Sequence, residues 1–433
     1  MNFVSTCGRF AARRAGQSFL CLLLAMMAGA AEAQTAWRNG RWFDGTRFVA
    51  RTMYTTETGT LSSRRPAKIS RSVNLGGRFV VPAYGDAHHH GIDGIKDLDP
   101  KIASFLRDGV FYVKNPNVVP DLLTPAVRAK INRADSIDVA FANGGLTATG
   151  AHPGPLHDDL ADRGIFPGLT RKDMPGRGYF YVDTQQALAT LWPTILAGRP
   201  DFIKVYLNGG IRIARPNEDP GSRAGLRPDV LQAVVERAHT AGLRVTAHIE
   251  TGDDFGVAVR SGVDELAHMP HFGPKGASNP AYLISASDAA EAARRGVTVI
   301  PTASVLPRMH ASGWNDAQRA AVVATQKKNL DTLSANGVGL AIGTDGISGE
   351  APFPTARGEV EYLWNNRLAT PLDLLRMWAV NTPQTIFPKR KVGALRDGYE
   401  ANFLVLGGNP LTDPANLHRI VTRVKAGRVL PSN

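Results

Sequence analysis

From Gly77 onward the chain repeats one pattern: a short apolar run rich in Val, Ile and Phe, a polar turn, then a stretch with helical spacing. The runs at residues 79–86, 110–114, 137–141, 202–207, 244–249, 265–268, 297–302 and 338–343 are short and bounded by turn residues, so they predict buried strands. Residues 228–241 and 287–295 carry helical periodicity. The second stretch opens on Ser287, which can cap it, and closes on Gly296, a helix stop. Eight strands alternating with helices predict an α/β fold of the (β/α)8 TIM-type barrel kind, with an open doubly wound sheet as the competing arrangement. In a barrel the chemistry lies at the C-terminal ends of the strands.

Outside that repeat, residues 36–74 are short strand-like runs punctuated by Asn39-Gly40 and Asp44-Gly45, turn pairs that suit hairpins, and residues 392–429 behave alike. Neither flank is large enough for a core of its own, so the two are expected to join as one small β domain. The predicted organisation is therefore a segment 1–33, a split β-sandwich from 34–78 and 385–433, and a catalytic barrel over 79–384. Two long Pro/Gly-rich stretches, 150–177 and 208–227, read as loops on the active-site side.

Residues 1–33 read as an export signal. Arg9, Arg13 and Arg14 form a basic start, residues 19–28 are almost unbroken apolar, and Ala31-Glu32-Ala33 offers a small-x-small cleavage pattern leaving Gln34 first. The apolar run is too short to span a bilayer. The expectation is a periplasmic or secreted protein without membrane anchoring after cleavage, exported by the general or the twin-arginine route. Removing three arginines and one glutamate lowers the net charge from +12 to +10. The basic residues are scattered without interleaved aromatics, which points away from a nucleic-acid groove and towards a small-molecule substrate; self-association into a homo-oligomer stays open. The two cysteines, Cys7 and Cys21, go with the signal, so a disulfide scaffold, a cysteine nucleophile and a thiolate metal site are excluded from the mature chain.

The first strand ends Asp86-Ala87-His88-His89-His90. Side chains two apart on a strand share a face, so His88 and His90 can aim at one ion while His89 points away. A lone strand-end histidine is more often a hydrogen-bonded polar residue than a ligand. Here, however, His248 and His268 end two further strands and Thr344-Asp345 follows the last. Four imidazoles and a carboxylate at one end of one barrel predict a metal site. On the fourth strand Lys204 lies between Ile203 and Val205 and shares a face with Phe202 and Tyr206. A buried ammonium there is disfavoured, leaving a neutral amine, a CO2-derived carbamate, or pairing with a carboxylate such as Asp201.

Residues 80–90 resemble the D-x-H-x-H opening of the amidohydrolase superfamily, and 393–410 are similar to its C-terminal stretch. The likeness extends over nearly the whole mature chain and is strongest to the imidazolonepropionase and prolidase-like branch. Ala401-Asn402 and Pro82-Ala83-Tyr84-Gly85 depart from the usual Ala-Asp and Pro-Gly-Leu-Ile. The resemblance implies two divalent metal ions, zinc by the donor set, with His88, His90 and Asp345 on one and His248 and His268 on the other. N6-carboxylated Lys204 would bridge them. It further implies hydrolysis by a metal-activated hydroxide with Asp345 as general acid and base. Tyr206, His152 and His271 are candidate substrate contacts, and Arg212 and Arg215 are candidates to meet a carboxylate.

The expected activity is hydrolysis of an amide-like C–N bond in a dipeptide or N-acyl amino acid. The competing enzyme is a mononuclear deaminase or cyclic-amide hydrolase of the imidazolonepropionase type, using His88, His90, His248 and Asp345 with Lys204 structural. A barrel that only binds is the alternative of another class.

Overall fold

The computed structural model describes residues 34–208, 225–270, 280–309, 313–350 and 352–431. The chain opens with β1 (Thr35–Phe43), β2 (Phe48–Thr55), β3 (Leu61–Ser62), β4 (Arg71–Asn74) and β5 (Phe79–Pro82). Short strands then alternate with helices: β6 (Tyr84–Asp86), β7 (Val110–Asn115), β8 (Asp138–Phe141), β9 (Gly145–Thr147) and β10 (Tyr179–Tyr181). They continue with β11 (Phe202–Tyr206), β12 (Arg244–His248), β13 (Glu265–Ala267), β14 (Thr298–Ile300) and β15 (Gly339–Leu340). The tail supplies β16 (Phe403–Leu406), β17 (Ile420–Lys425) and β18 (Arg428–Val429).

Among the described residues there are three sheets. A mixed sheet runs β18-β17-β16-β5-β1-β2-β3, with β4 beside β1. Two parallel sheets run β10-β9-β11-β12-β13-β14-β15 and β6-β7-β8, giving a mixed α/β fold. Backbone hydrogen bonds also join the parallel sheets to one another: Asp201 N donates to Phe141 O at 2.8 Å and Ala87 N donates to Ile342 O at 2.8 Å. The crossover helices bury one stripe, as in Pro228–Thr240, whose Val230, Leu231, Val234, Val235 and Ala238 face the core.

The two flanks meet in the mixed sheet, where Leu404 of the tail pairs with Val81 and Trp42 with Val80. Trp37 and Trp42 pack on Phe403 with ring centroids 5.0 and 5.3 Å away. Lys425 ties this sheet to the parallel strands by donating to Asp138 Oδ1 at 2.6 Å and to Arg133 O at 2.7 Å. Arg390 adds bonds to Asp138 at 2.8 Å and Glu400 at 2.6 Å.

Several elements differ from the sequence expectation. The run 79–86 is divided between sheets: Phe79–Pro82 pairs with β1 and β16, whereas Tyr84–Asp86 pairs with β7. An apolar run buried throughout does not reveal which sheet covers it. Asp44-Gly45 lies in the turn between β1 and β2, but Asn39-Gly40 is a bulge within β1, with Asn39 at φ 56°. A Cβ on Gly40 would come within 2.6 Å of Leu75 Cδ1, so close packing requires the glycine. The helix predicted from Ser287 spans Ala286–Arg295 and is capped by Ser285, whose hydroxyl accepts from Asp288 N at 3.0 Å; Gly296 ends it at φ 67°. Residues 150–177, expected as loop, contain the helix Gly154–Asp162. There Ala161, Phe166 and Met174 form a small apolar cluster with Val119 and Tyr179. Their spacing follows no period, so only the folded chain groups them.

Candidate metal centre

The segment after β6 is pinned from both sides. His89 N donates to Lys114 O at 3.0 Å and His90 N to Gly346 O at 2.7 Å, while His88 O accepts from Asp345 N at 2.7 Å. Beneath it, buried Asp86 accepts from Thr344 Oγ1 at 2.7 Å, Thr344 N at 3.1 Å and His88 N at 3.2 Å. Burial pushes that carboxyl up to about 7 against those donors.

His88 and His90 converge on Asp345, with Nε2 to Oδ1 distances of 3.4 and 3.2 Å. His89 turns away, as the alternation predicts. Its Nδ1 accepts from Gly91 N at 2.8 Å, its Nε2 lies 2.9 Å from Pro354 O, and its ring packs between Phe105 and Phe353. From the neighbouring strand ends, His268 approaches His88 with ring centroids 4.8 Å apart, and His248 approaches His268 at 4.5 Å. Donor atoms of His88, His268 and Asp345 all lie within 4.8 Å of one another, the one such acid and imidazole group among the described residues. That trio combines ligands that the resemblance assigns to different ions.

Lys204, in the middle of β11, is 1% exposed, and its Nζ has no hydrogen-bond partner among the described residues. Asp201 does not pair with it; that carboxylate accepts from Phe141 N at 2.8 Å. Burial lowers the Lys204 amine to about 7, with Asp345 opposing and Lys114 adding to the shift. Tyr206 lies beneath the amine, with Nζ 4.9 Å from its ring centre, and its hydroxyl receives Asn117 Nδ2 at 3.0 Å. His152 completes this side, with ring centroids 4.9 Å from His248 and 5.2 Å from Tyr206. His271, Arg212 and Arg215 lie outside the described residues.

The electrostatics suit a cation. Burial pushes His88 and His248 down to about 3, so both are neutral imidazoles with lone pairs to offer at pH 7. Nδ1 of His88 has no hydrogen-bond partner among the described residues, and its Nε2 has only the 3.4 Å approach to Asp345 Oδ1, although the ring is fully buried. Burial would raise the Asp345 carboxyl, but the facing His268, His88 and His90 outweigh it and hold the group well below the carboxylate range. Backbone strain occurs here too: His268, Thr302 and Asp345 have φ of 78°, 45° and 51°. Left-handed conformations of non-glycine residues cost about 1–3 kcal/mol each and persist where surrounding structure enforces them.

Sequence reasoning missed the polar layer below the site. Lys114 forms a buried ion pair with Glu265 and donates to Thr246 Oγ1 at 3.0 Å, while Thr246 and Thr385 each donate to Glu265 at 2.6 Å. The signal available was a charged residue at one end of each of two apolar strand runs, Lys114 after Val113 and Glu265 before Leu266. It does not say that the two residues meet.

Comparison with known proteins bears on the family and the fold. Ochratoxinase of Aspergillus niger is 28% identical over 213 residues, which is 49% of this chain and 42% of that protein, so the match spans less than half of the relative. The solved structure of A. niger ochratoxinase superposes with a TM-score of 0.69 at 18% identity, covering 92% of this chain and 95% of that one. A prolidase complexed with N-methylphosphonate-L-proline gives 0.68 at 20% identity, covering 92% and 100%. A putative prolidase from Bifidobacterium longum gives 0.67 at 18%, covering 93% and 97%. The model of the amidohydrolase family matches residues 79–430, nearly all of the chain beyond its first flank, and the chain belongs to that family.

Proposed function

We propose that this protein is a metal-dependent hydrolase of an amide-like C–N bond, in the class of dipeptides and N-acyl amino acids. The observation that carries the reading is the convergence of His88, His268 and Asp345, with His90 and His248 beside them and Lys204 buried in the middle of β11, together with the nitrogens of His88 and the amine of Lys204, which are buried and lack well-formed hydrogen bonds among the described residues. Buried polar groups are normally satisfied, so such atoms fit a site completed by a ligand. Imidazole, carboxylate and amine or carbamate donors suit zinc. The parallel sheets are read as arcs of one (β/α)8 barrel, supported by the hydrogen bonds that join them, and the mixed sheet as the split β-sandwich of residues 34–78 and 385–433.

On this reading His88, His90 and Asp345 would hold one cation and His248 and His268 a second, and Lys204, once carboxylated, would add an anionic donor between these groups. Divalent cations there supply Lewis acidity that polarises a carbonyl and acidifies water. Asp345, kept ionised by the facing imidazoles, takes a proton from the attacking water and returns it to the leaving nitrogen. Tyr206 receives a hydrogen bond from Asn117, which leaves its own proton to donate to the carbonyl oxygen, and His152 lines the same side. A single-ion site has one specific support among the described residues, the tight trio of His88, His268 and Asp345, although it takes His268 in place of the His90 and His248 of the expected mononuclear set.

Metal analysis of the purified protein, combined with a screen of dipeptides, N-acyl amino acids and ochratoxin, tests the proposal. Two zinc ions per chain and bicarbonate-dependent activity are expected; one ion selects the mononuclear reading, and no tightly held metal rejects both. Asp345→Asn should retain metal while losing about 10²–10⁴-fold in turnover. Residues 1–33 are proposed to direct export, so protein recovered from outside the cytoplasm should begin at Gln34. Among the described residues no helix is long and apolar enough to cross a membrane.

A further inference from the structure

Behind His268 lies a hydrogen-bonded clamp that none of the roles above uses. Thr302, two residues past β14, places Oγ1 2.8 Å from His268 Nδ1. The turn that carries Thr302 is left-handed, a conformation that β-branched residues rarely adopt, and it is fixed by an acidic side chain from another element. Glu359, on the helix Ala356–Asn365, accepts from Ala303 N and from Ser304 N, each at 2.8 Å. Gln326, on the helix Asp316–Ala335, donates to Ala303 O at 2.9 Å and accepts from Tyr362 OH at 2.8 Å. Thr302, Gln326 and Glu359 are all buried. Two helices thus hold Ala303 and Ser304, the two residues directly after the one that touches the imidazole.

We propose that Thr302, locked by Glu359 and Gln326, is a positioning residue that sets the ring orientation and tautomer of His268 for metal ligation. The inference rests on the reading of His268 as a ligand. Nδ1 lies 2.8 Å from the threonine hydroxyl and 3.9 Å from Asp345 Oδ2, so the hydroxyl takes its hydrogen bond and ligation falls to Nε2; a hydroxyl accepting from Nδ1–H holds the neutral tautomer that a cation needs. Loss of the hydroxyl removes the bond from Thr302 that holds the ring in this orientation.

The test uses the full chain stripped of metal, with zinc affinity measured by competition against a chromophoric chelator and thermal unfolding of the same metal-free samples. Thr302→Val keeps the shape and removes the hydroxyl; zinc should bind about 10–100-fold more weakly. Thr302→Ser, which restores the hydroxyl, should stay within about threefold of the parent, a rescue that a merely structural role would not produce. Zinc affinity in Thr302→Val equal to that of the parent overturns the inference. If Thr302→Val does not fold, Glu359→Gln, which removes one of the two acceptors, decides it: about tenfold weaker zinc binding supports the clamp and parental affinity overturns it. A parent protein that takes up no zinc removes the ligand reading of His268 itself, and the inference with it.

Discussion

Lys204 carries the sharpest conflict between stability and function in the molecule. Its amine is buried in the parallel sheet without a hydrogen-bond partner among the described residues, and burial lowers it to about 7. An unsatisfied buried donor costs about 1–3 kcal/mol, so nothing in the packing favours a lysine there. Lys204→Met, which keeps length and apolar volume, should therefore leave the metal-free protein at least as stable as the parent and raise its thermal midpoint by a few degrees. Activity should fall by more than about 100-fold, since even the outer partners of a metal ligand are worth 10–100-fold. Differential scanning calorimetry and turnover on one substrate check both halves. A destabilised variant with near-parental activity would show that Lys204 is only a packing residue.

At the scale of elements, strand β9 decides how Tyr206 sits. A Cβ on Gly145 would lie 2.3 Å from Tyr206 Cε2 and 3.3 Å from Asn117 Nδ2, so the glycine provides the space in which the ring and its donor meet. Gly145→Ala should displace the tyrosine, cost about 1–3 kcal/mol by overpacking, and lower kcat with metal content unchanged. Unaltered kcat would remove Tyr206 from the reacting centre. The same element illustrates what was legible in the sequence. Strands bearing long apolar runs, such as Phe202–Tyr206 and Arg244–His248, were predicted nearly to the residue. Strands β9 and β10 were not, because three-residue strands within Gly- and Pro-containing sequence leave too little periodicity to recognise. The histidines at strand ends were legible because alternation fixes the face of each side chain; Thr302 and Glu359 were not, because their partners come from distant elements.

For the molecule as a whole, the buried charge pattern sets its response to acid. Burial pushes His88, His89, His157 and His248 down to about 3, well below an ordinary imidazole. The unfolded chain therefore binds protons below about pH 6.5 that the native state refuses, and stability falls as pH is lowered from there towards 3. Each such proton contributes about 1.4 kcal/mol per pH unit within that window. Glu265 adds a lower step: burial acts to raise it, but Lys114 and Arg244 outweigh burial and hold it at about 2, so its contribution is present above about 4.5 and is lost as pH falls further. Asp86, raised to about 7, offsets one of these protons between about pH 4 and 7, and Lys204, lowered to about 7, adds stability as pH rises above 7, so thermal melts of the metal-free protein should show a midpoint that declines as pH falls below 6.5. Bound zinc should raise the midpoint at pH 7.5 and lose that advantage on acidification, as protons compete for the imidazoles. A midpoint flat between pH 7 and 5 would mean that these rings are not held neutral. What the sequence by itself determined was the alternation of strand and helix, the end of each strand on which the donors fall, and the absence of thiols beyond the first 33 residues, because these depend on local period and composition. Only the tertiary structure decided that Phe79–Pro82 leaves the parallel strands for the flank sheet, that Lys114 meets Glu265, and that His88, His268 and Asp345 form the tightest group. Those outcomes depend on which distant elements share a buried layer, and the pairing of buried groups across elements is not encoded in the period of any one of them.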